Sequence, residues 1–127
     1  DWGLSGAVRL LGYRDNVYPY LRRADLFIHT CEFEGFGYAM LEALACGTTV
    51  IATDCPYGPR EILGDSEYGV LIRPNDPQAL ADAILSLLCD PARRQALAKR
   101  GWERAEQLSI QRMVTAYQTV FSQLMYH

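Results

Sequence analysis

Glu32–Thr49, EFEGFGYAMLEALACGTT, decides the fold. It follows an apolar run, Asp25–Thr30 (DLFIHT), and leads into a β-branched one, Thr49–Thr53 (TVIAT), so it reads as the link between two buried strands. Gly35 and Gly37 allow a turn and let another group approach the main chain closely. A helix starting near Phe36–Tyr38 and closing at Gly47 comes next, because glycine suits the left-handed closing residue. The first amides of that helix have no intrahelical partners and, with the helix dipole, favour an anion such as phosphate. Glu34 stands just before the turn, and Glu42 about one turn into the helix, roughly 6 to 8 Å along the axis at about 1.5 Å per residue. Carboxylates repel phosphate but accept hydrogen bonds from hydroxyls. The frame therefore suits an anion flanked by two polyols, and a nucleotide-sugar has that form: ribose, diphosphate, hexose.

Outward from this stretch, Val8–Tyr13 (VRLLGY) is expected as a short strand. Arg14, Asp15 and Asn16 then cap a brief helix, Val17–Ala24, with Pro19 in its first turn. Downstream, Asp54–Pro59 is a loop, Pro59 opens a short helix through Leu63, and Gly69–Arg73 is a fourth strand. Asp76-Pro77 starts a helix with Leu80, Ile84, Leu87 and Leu88 on one face, and Asp90-Pro91 ends it and begins another, Ala92–Leu108. A last helix, Ile110–Met125, carries Met113, Tyr117, Val120, Phe121 and Leu124 as its stripe. Alternating strands and helices with continuous apolar strands predict an α/β fold: a Rossmann-like parallel sheet of about four strands with helices on both faces. Ligands of such sheets bind beyond the carboxyl ends of the strands. Tyr13–Arg14, His29–Glu34 and Asp54–Arg60 all fall there and are expected to converge on one site.

The 127 residues make one domain, half apolar and 21% charged, with a net charge of −3 that argues against nucleic-acid binding. No apolar run approaches the ~20 residues of a membrane span, and no signal peptide is visible. The chain opens DWGLSG rather than with Met, as expected of a processed or excised piece. Cys31, Cys46, Cys55 and Cys89 lack metal-ligand spacing and read as reduced thiols of a cytosolic protein, with Cys31 and Cys55 as small fillers rather than reactive groups. His29 reads first as a packed or capping residue and second as a sugar or phosphate contact. Arg93, Arg94, Lys99, Arg100 and Arg104 form a solvated face in preference to a membrane-facing one, since Glu103 and Glu106 dilute the charge.

Three strings in order, E-G-F-G-x4-E, A-C-G-T-x-V-I-A-T-D and G-P-R-E-I-L, resemble the E-x7-E region of retaining glycosyltransferases of GT-B architecture (glycosyl transferases group 1), over roughly residues 7 to 121. The resemblance implies a partial C-terminal, donor-binding domain spanning residues 1–127 and truncated at its N-terminus. In that family the first glutamate lies at the transferred sugar and the second binds the ribose. Glu34 then becomes the catalytic residue and Glu42 a donor ligand. The amides of Gly35, Phe36, Gly37 and Tyr38 would hold sugar and diphosphate, and Tyr13 and Arg14 the base. The implied reaction moves a hexose from a nucleotide-diphosphate sugar to an acceptor hydroxyl with retention. No D-x-D occurs and a helix terminus can neutralise the leaving diphosphate, so neither metal nor cofactor is expected.

The family's domain begins with two further strand–helix units that carry an arginine and a lysine for the diphosphate, and it works with an N-terminal acceptor domain. Nothing here matches either, so the isolated chain is expected to be catalytically silent. Arg14 and Arg60 are the nearby cations, and neither matches the pair. In the family's sheet the absent strands separate those matching Val8–Tyr13 and Asp25–Thr30. Direct pairing of these two, or self-association through the unpaired edge, is expected instead. With no signal peptide and unpaired cysteines a cytoplasmic location is expected, with a peripheral position at the inner membrane open to the full-length enzyme. Two other readings stand beside the transferase. One is a non-catalytic nucleotide-sugar-binding or assembly module working with a separate acceptor subunit. The other is a nucleotide-sugar epimerase relative, which the last two strings disfavour.

Overall fold

Five buried residues in a row, Thr49–Thr53, form the middle strand of the sheet in the computed structural model, which describes residues 3–125. In chain order the elements are α1 (Tyr18–Arg23), β1 (Leu26–His29), α2 (Tyr38–Ala45), β2 (Thr49–Thr53), α3 (Pro59–Leu63), β3 (Val70–Ile72), α4 (Pro77–Cys89), α5 (Pro91–Gln107) and α6 (Ile110–Met125). The strands are parallel in the order β1-β2-β3, with Leu26 opposite Thr49, His29 opposite Ala52, and Thr53 opposite Ile72.

Alternation along β2 builds two cores. Val50 and Ala52 pack with Met40, Leu44, Ile62 and Leu63, beneath α2 and α3. Ile51 turns to the other face and meets Ile72, Leu87 and Leu97, from β3, α4 and α5. Helices therefore cover both faces, which is why β2 reads as an unbroken apolar run. Burying each of these large side chains contributes on the order of 1.5–3 kcal/mol. The polar exceptions are satisfied: the Thr48 hydroxyl donates to the Leu21 carbonyl (2.5 Å) and that of Thr49 to the Arg94 carbonyl (2.8 Å).

The Asp-Pro pairs act as their chemistry predicts. Asp76 accepts from the Ala79 amide and Asp90 from the Arg93 amide, each at 2.9 Å, with proline at the first helical position where no amide is needed. Asn16 accepts from the Tyr18 amide at 3.1 Å ahead of α1. Two of the basic residues on α5 turn out to be structural. Arg94 donates to the Leu87 carbonyl at the end of α4 and approaches Asp25, while Arg104 donates to the Glu61 and Ile62 carbonyls of α3 and lies over the Tyr68 ring. Both cations thus meet the unpaired carbonyls of a helix end. Lys99 and Arg100 are exposed.

Val8–Tyr13 departs from expectation. It is irregular and exposed, with Leu10 96% accessible, so the sheet has three strands rather than about four and no direct pairing with β1 forms. A strand is stable only beside a neighbour that takes its amides and carbonyls, and among the described residues this segment has none. The stripe on α6 is present as predicted but is not buried among the described residues: Met113, Tyr117, Val120, Phe121 and Leu124 all stay exposed.

Candidate functional site

β1 ends at His29, and the loop beyond it is tied to the end of β2 by one hydroxyl. Buried Thr53 accepts through Oγ1 from the Cys31 amide (3.0 Å) and donates to the Cys31 carbonyl (2.6 Å), a part-buried clamp across 22 residues of sequence. From this fixed point the chain reaches Glu34. One carboxylate oxygen of Glu34 sits 2.9 Å from His29 Nε2, and the other accepts from the Gly35 amide at 2.8 Å. The His29 ring stacks on Phe27, with centroids 6.3 Å apart. The hydrogen bond from His29, followed by that from the Gly35 amide, holds the Glu34 carboxyl below the usual carboxylate range. Glu34 is therefore ionised at neutral pH and acts only as an acceptor, so His29 presents Nε2–H to it. His29 is a packed residue with a carboxylate partner, in line with the first of its two readings.

Gly58 makes room for this carboxylate, and Gly37 makes room for the Met40 side chain beside it. Gly37, at φ +98°, caps α2 in a left-handed conformation. Gly58, at φ +49°, comes from the loop before α3, and a Cβ there would stand 2.8 Å from Glu34 Cγ and 2.6 Å from the Phe36 carbonyl oxygen. In the sequence Gly58 reads as loop only, and its one local signal is its place directly ahead of the Pro59 that opens a helix. The Met40 and Leu41 amides donate to the Gly37 carbonyl. Those of Tyr38 and Ala39 have no protein acceptor among the described residues. Tyr38 is 67% exposed and its ring tilts against Phe36.

Glu42 lies four residues after Tyr38 and three before Ala45, so it shares their helix stripe rather than that of buried Met40, Ala43 and Leu44. It is half-buried, and its carboxylate makes no hydrogen bond or ion pair among the described residues. A partly desolvated carboxylate with free lone pairs is ready to accept from a ligand hydroxyl.

Other expected members are elsewhere or occupied. Tyr13 (87% exposed) and Arg14 make no hydrogen bond, ion pair or ring contact with this turn among the described residues. Without a strand at Val8–Tyr13 nothing carries them to the sheet edge, so only His29–Glu34 and Asp54–Arg60 converge there. Arg60 is bound by Asp54 on one side and Asp65 on the other, and this pairing raises its pKa further. Cys55 is buried with its sulfur 3.2 Å from that of Cys31, and burial pushes its thiol up to about 11, which keeps it protonated and unreactive. Two depressions also open at this edge. One of about 190 Å³ is lined by Thr30, Cys31, Thr53 and Asp76, and one of about 250 Å³ by Asp54, Arg60 and Arg73. Neither depression is lined by Tyr38 or Ala39.

Residues 1–104 match the family described as glycosyl transferases group 1. An O-antigen chain mannosyltransferase B from Escherichia coli is 37% identical over 113 residues, covering 87% of this chain and 29% of that protein. A Campylobacter jejuni N-acetylgalactosamine-N,N'-diacetylbacillosaminyl-diphospho-undecaprenol 4-alpha-N-acetylgalactosaminyltransferase is 33% identical over 106 residues, covering 84% of this chain and 29% of its own length. Among solved structures, Anabaena Alr3699/HepE in complex with UDP and glucose superposes with a TM-score of 0.84 at 29% identity, over 97% of this chain and 33% of that one. The chain thus spans about a third or less of each of these relatives. Among the described residues no helix is long and apolar enough to cross a membrane.

Proposed function

This chain belongs to the glycosyl transferases group 1 family, and on that premise we propose that it binds the nucleotide-diphosphate sugar of a retaining hexosyltransferase of GT-B architecture. The observation that carries the reading is a pair of unpartnered amides, Tyr38 and Ala39, bracketed in sequence by ionised Glu34 and unpaired Glu42. The diphosphate sits at the amides, where negative charge builds on the leaving oxygen as the glycosidic bond breaks. Donors already aimed at that position need no reorganisation. Glu34 is the catalytic residue: its carboxylate faces the transferred sugar, where positive charge develops at the anomeric carbon, with His29 fixing its orientation. Glu42 accepts from the ribose hydroxyls. The main chain of Gly35, Phe36 and Gly37 lines the sugar–diphosphate junction, and Tyr13 and Arg14 reach the base once the segment holding them is ordered by the rest of the protein.

Metal at the diphosphate is no part of this reading. The Arg60 guanidinium is already neutralised by two carboxylates, so the chain offers the diphosphate amides rather than a free cation from that loop. Turnover then requires groups from an acceptor domain or a separate acceptor subunit, and the chain by itself binds donor without transferring it. In the protein that carries the acceptor half, Glu34→Gln lowers kcat by about 10²-fold and donor affinity much less, since the amide oxygen still accepts from a sugar hydroxyl where a bound cation would not. Glu42→Ala weakens donor binding by roughly 10-fold with a smaller effect on kcat. Steady-state kinetics with isothermal titration of the donor separates the two. Equal, small effects from both substitutions contradict the roles.

A further inference from the structure

We propose that His29, Cys31 and Glu34 form a three-ligand site for a thiophilic divalent cation of the zinc class, and that a cation there competes with the donor sugar for Glu34. The imidazole nitrogen, the thiol sulfur and a carboxylate oxygen all lie within 4.8 Å of one another. Ligands about 2.0–2.3 Å from a tetrahedral zinc are roughly 3.3–3.8 Å apart, so small side-chain rotations bring these atoms into range. His29 Nε2 and Glu34 already meet at 2.9 Å, a contact the cation would replace.

The surroundings limit how far these groups can stray. Thr53 holds the Cys31 backbone on both its amide and its carbonyl. Phe27 stacks on the His29 ring, and the Gly35 amide holds the second Glu34 oxygen. Cys55 Sγ, 3.2 Å from Cys31 Sγ, can donate its S–H to a Cys31 thiolate, an outer contact that orients the ligand. A mixed set of nitrogen, sulfur and oxygen donors suits zinc and not magnesium or calcium, which take oxygen. The ligands come from one short run, at positions 29, 31 and 34, that fits no familiar metal-binding spacing; the turn at Gly35–Gly37 and the clamp to β2 bring the three atoms together.

Metal binding rests on this geometry alone, while its competition with donor rests on the proposed donor site. The test is titration of the chain with cobalt(II), whose thiolate complexes absorb by charge transfer. One equivalent should bind with that absorption, Cys31→Ser should abolish it, and His29→Gln and Glu34→Gln should each weaken binding about 10-fold or more. Cys89→Ser, at the exposed end of α4, should leave it unchanged. No charge-transfer band, a band undiminished in Cys31→Ser, or affinity unmoved by both His29→Gln and Glu34→Gln would each overturn the site. Zinc should then weaken UDP-glucose binding about 10-fold in the unaltered chain and not in Cys31→Ser, whose retained UDP-glucose binding reports that it is folded. Zinc bound with UDP-glucose affinity unchanged overturns the competition. A cobalt band with no binding of UDP-glucose or of any other nucleotide-diphosphate sugar refutes the donor site and leaves the metal site standing.

Discussion

At Gly58 an alanine Cβ would press on a backbone oxygen, that of Phe36 at 2.6 Å, as well as on the Glu34 side chain, and the φ of +49° is already costly for any L residue. Backbone cannot swing aside as a flexible side chain can. Gly58→Ala should therefore cost about 1–3 kcal/mol, read as a lowered Tm, and should displace Glu34 enough to weaken donor binding. An unchanged melting curve would show that the loop has room the geometry denies it. Residues of this kind separate what was legible in the sequence from what was not. Glu34, Gly37 and Glu42 all lie inside one short string, E-G-F-G-x4-E, so the local sequence singles them out. Gly58 and Thr53 act on that string from about 20 residues away, across a parallel sheet whose register no local pattern reports.

Elements follow the same division. The two Asp-Pro pairs are local devices, an acceptor for an orphan amide beside a residue that needs none, and both helices start where the pairs place them. Val8–Tyr13 has the composition of a strand, yet a strand is a property of a pair, and no partner lies beside this one among the described residues. The α6 stripe is likewise real in period and unburied in fact, since periodicity tells which face is apolar and not what covers it. A contrast in stability follows. Asp90→Ala removes the cap of α5, whose Leu97 and Ala105 are core residues, and should cost about 1 kcal/mol in urea unfolding. Met113→Ala, on a helix that buries nothing among the described residues, should fall within about 0.5 kcal/mol of the parent. A larger loss at Met113 than at Asp90 would mean that α6 is packed in solution.

Across the whole molecule, a three-stranded parallel sheet with helices on both faces offers one carboxyl edge, and the chemistry gathers where two loops cross it. The chain belongs to the glycosyl transferases group 1 family and accounts for about a third or less of the length of the relatives compared with it. β1 keeps one edge without a hydrogen-bonded neighbour among the described residues, a template on which further strands can build. The central claim concerns the mouth of α2: its free amides take the diphosphate, with a carboxylate serving the sugar on each side. Amide-resolved NMR titration of the chain with UDP-glucose and other nucleotide-diphosphate sugars measures this directly. The account predicts that the largest shifts fall on the amides of Gly35 to Ala39 and that Glu42→Ala weakens the same response. Binding that leaves those amides unmoved, with its largest shifts at the Asp54–Arg60 rim, would contradict it.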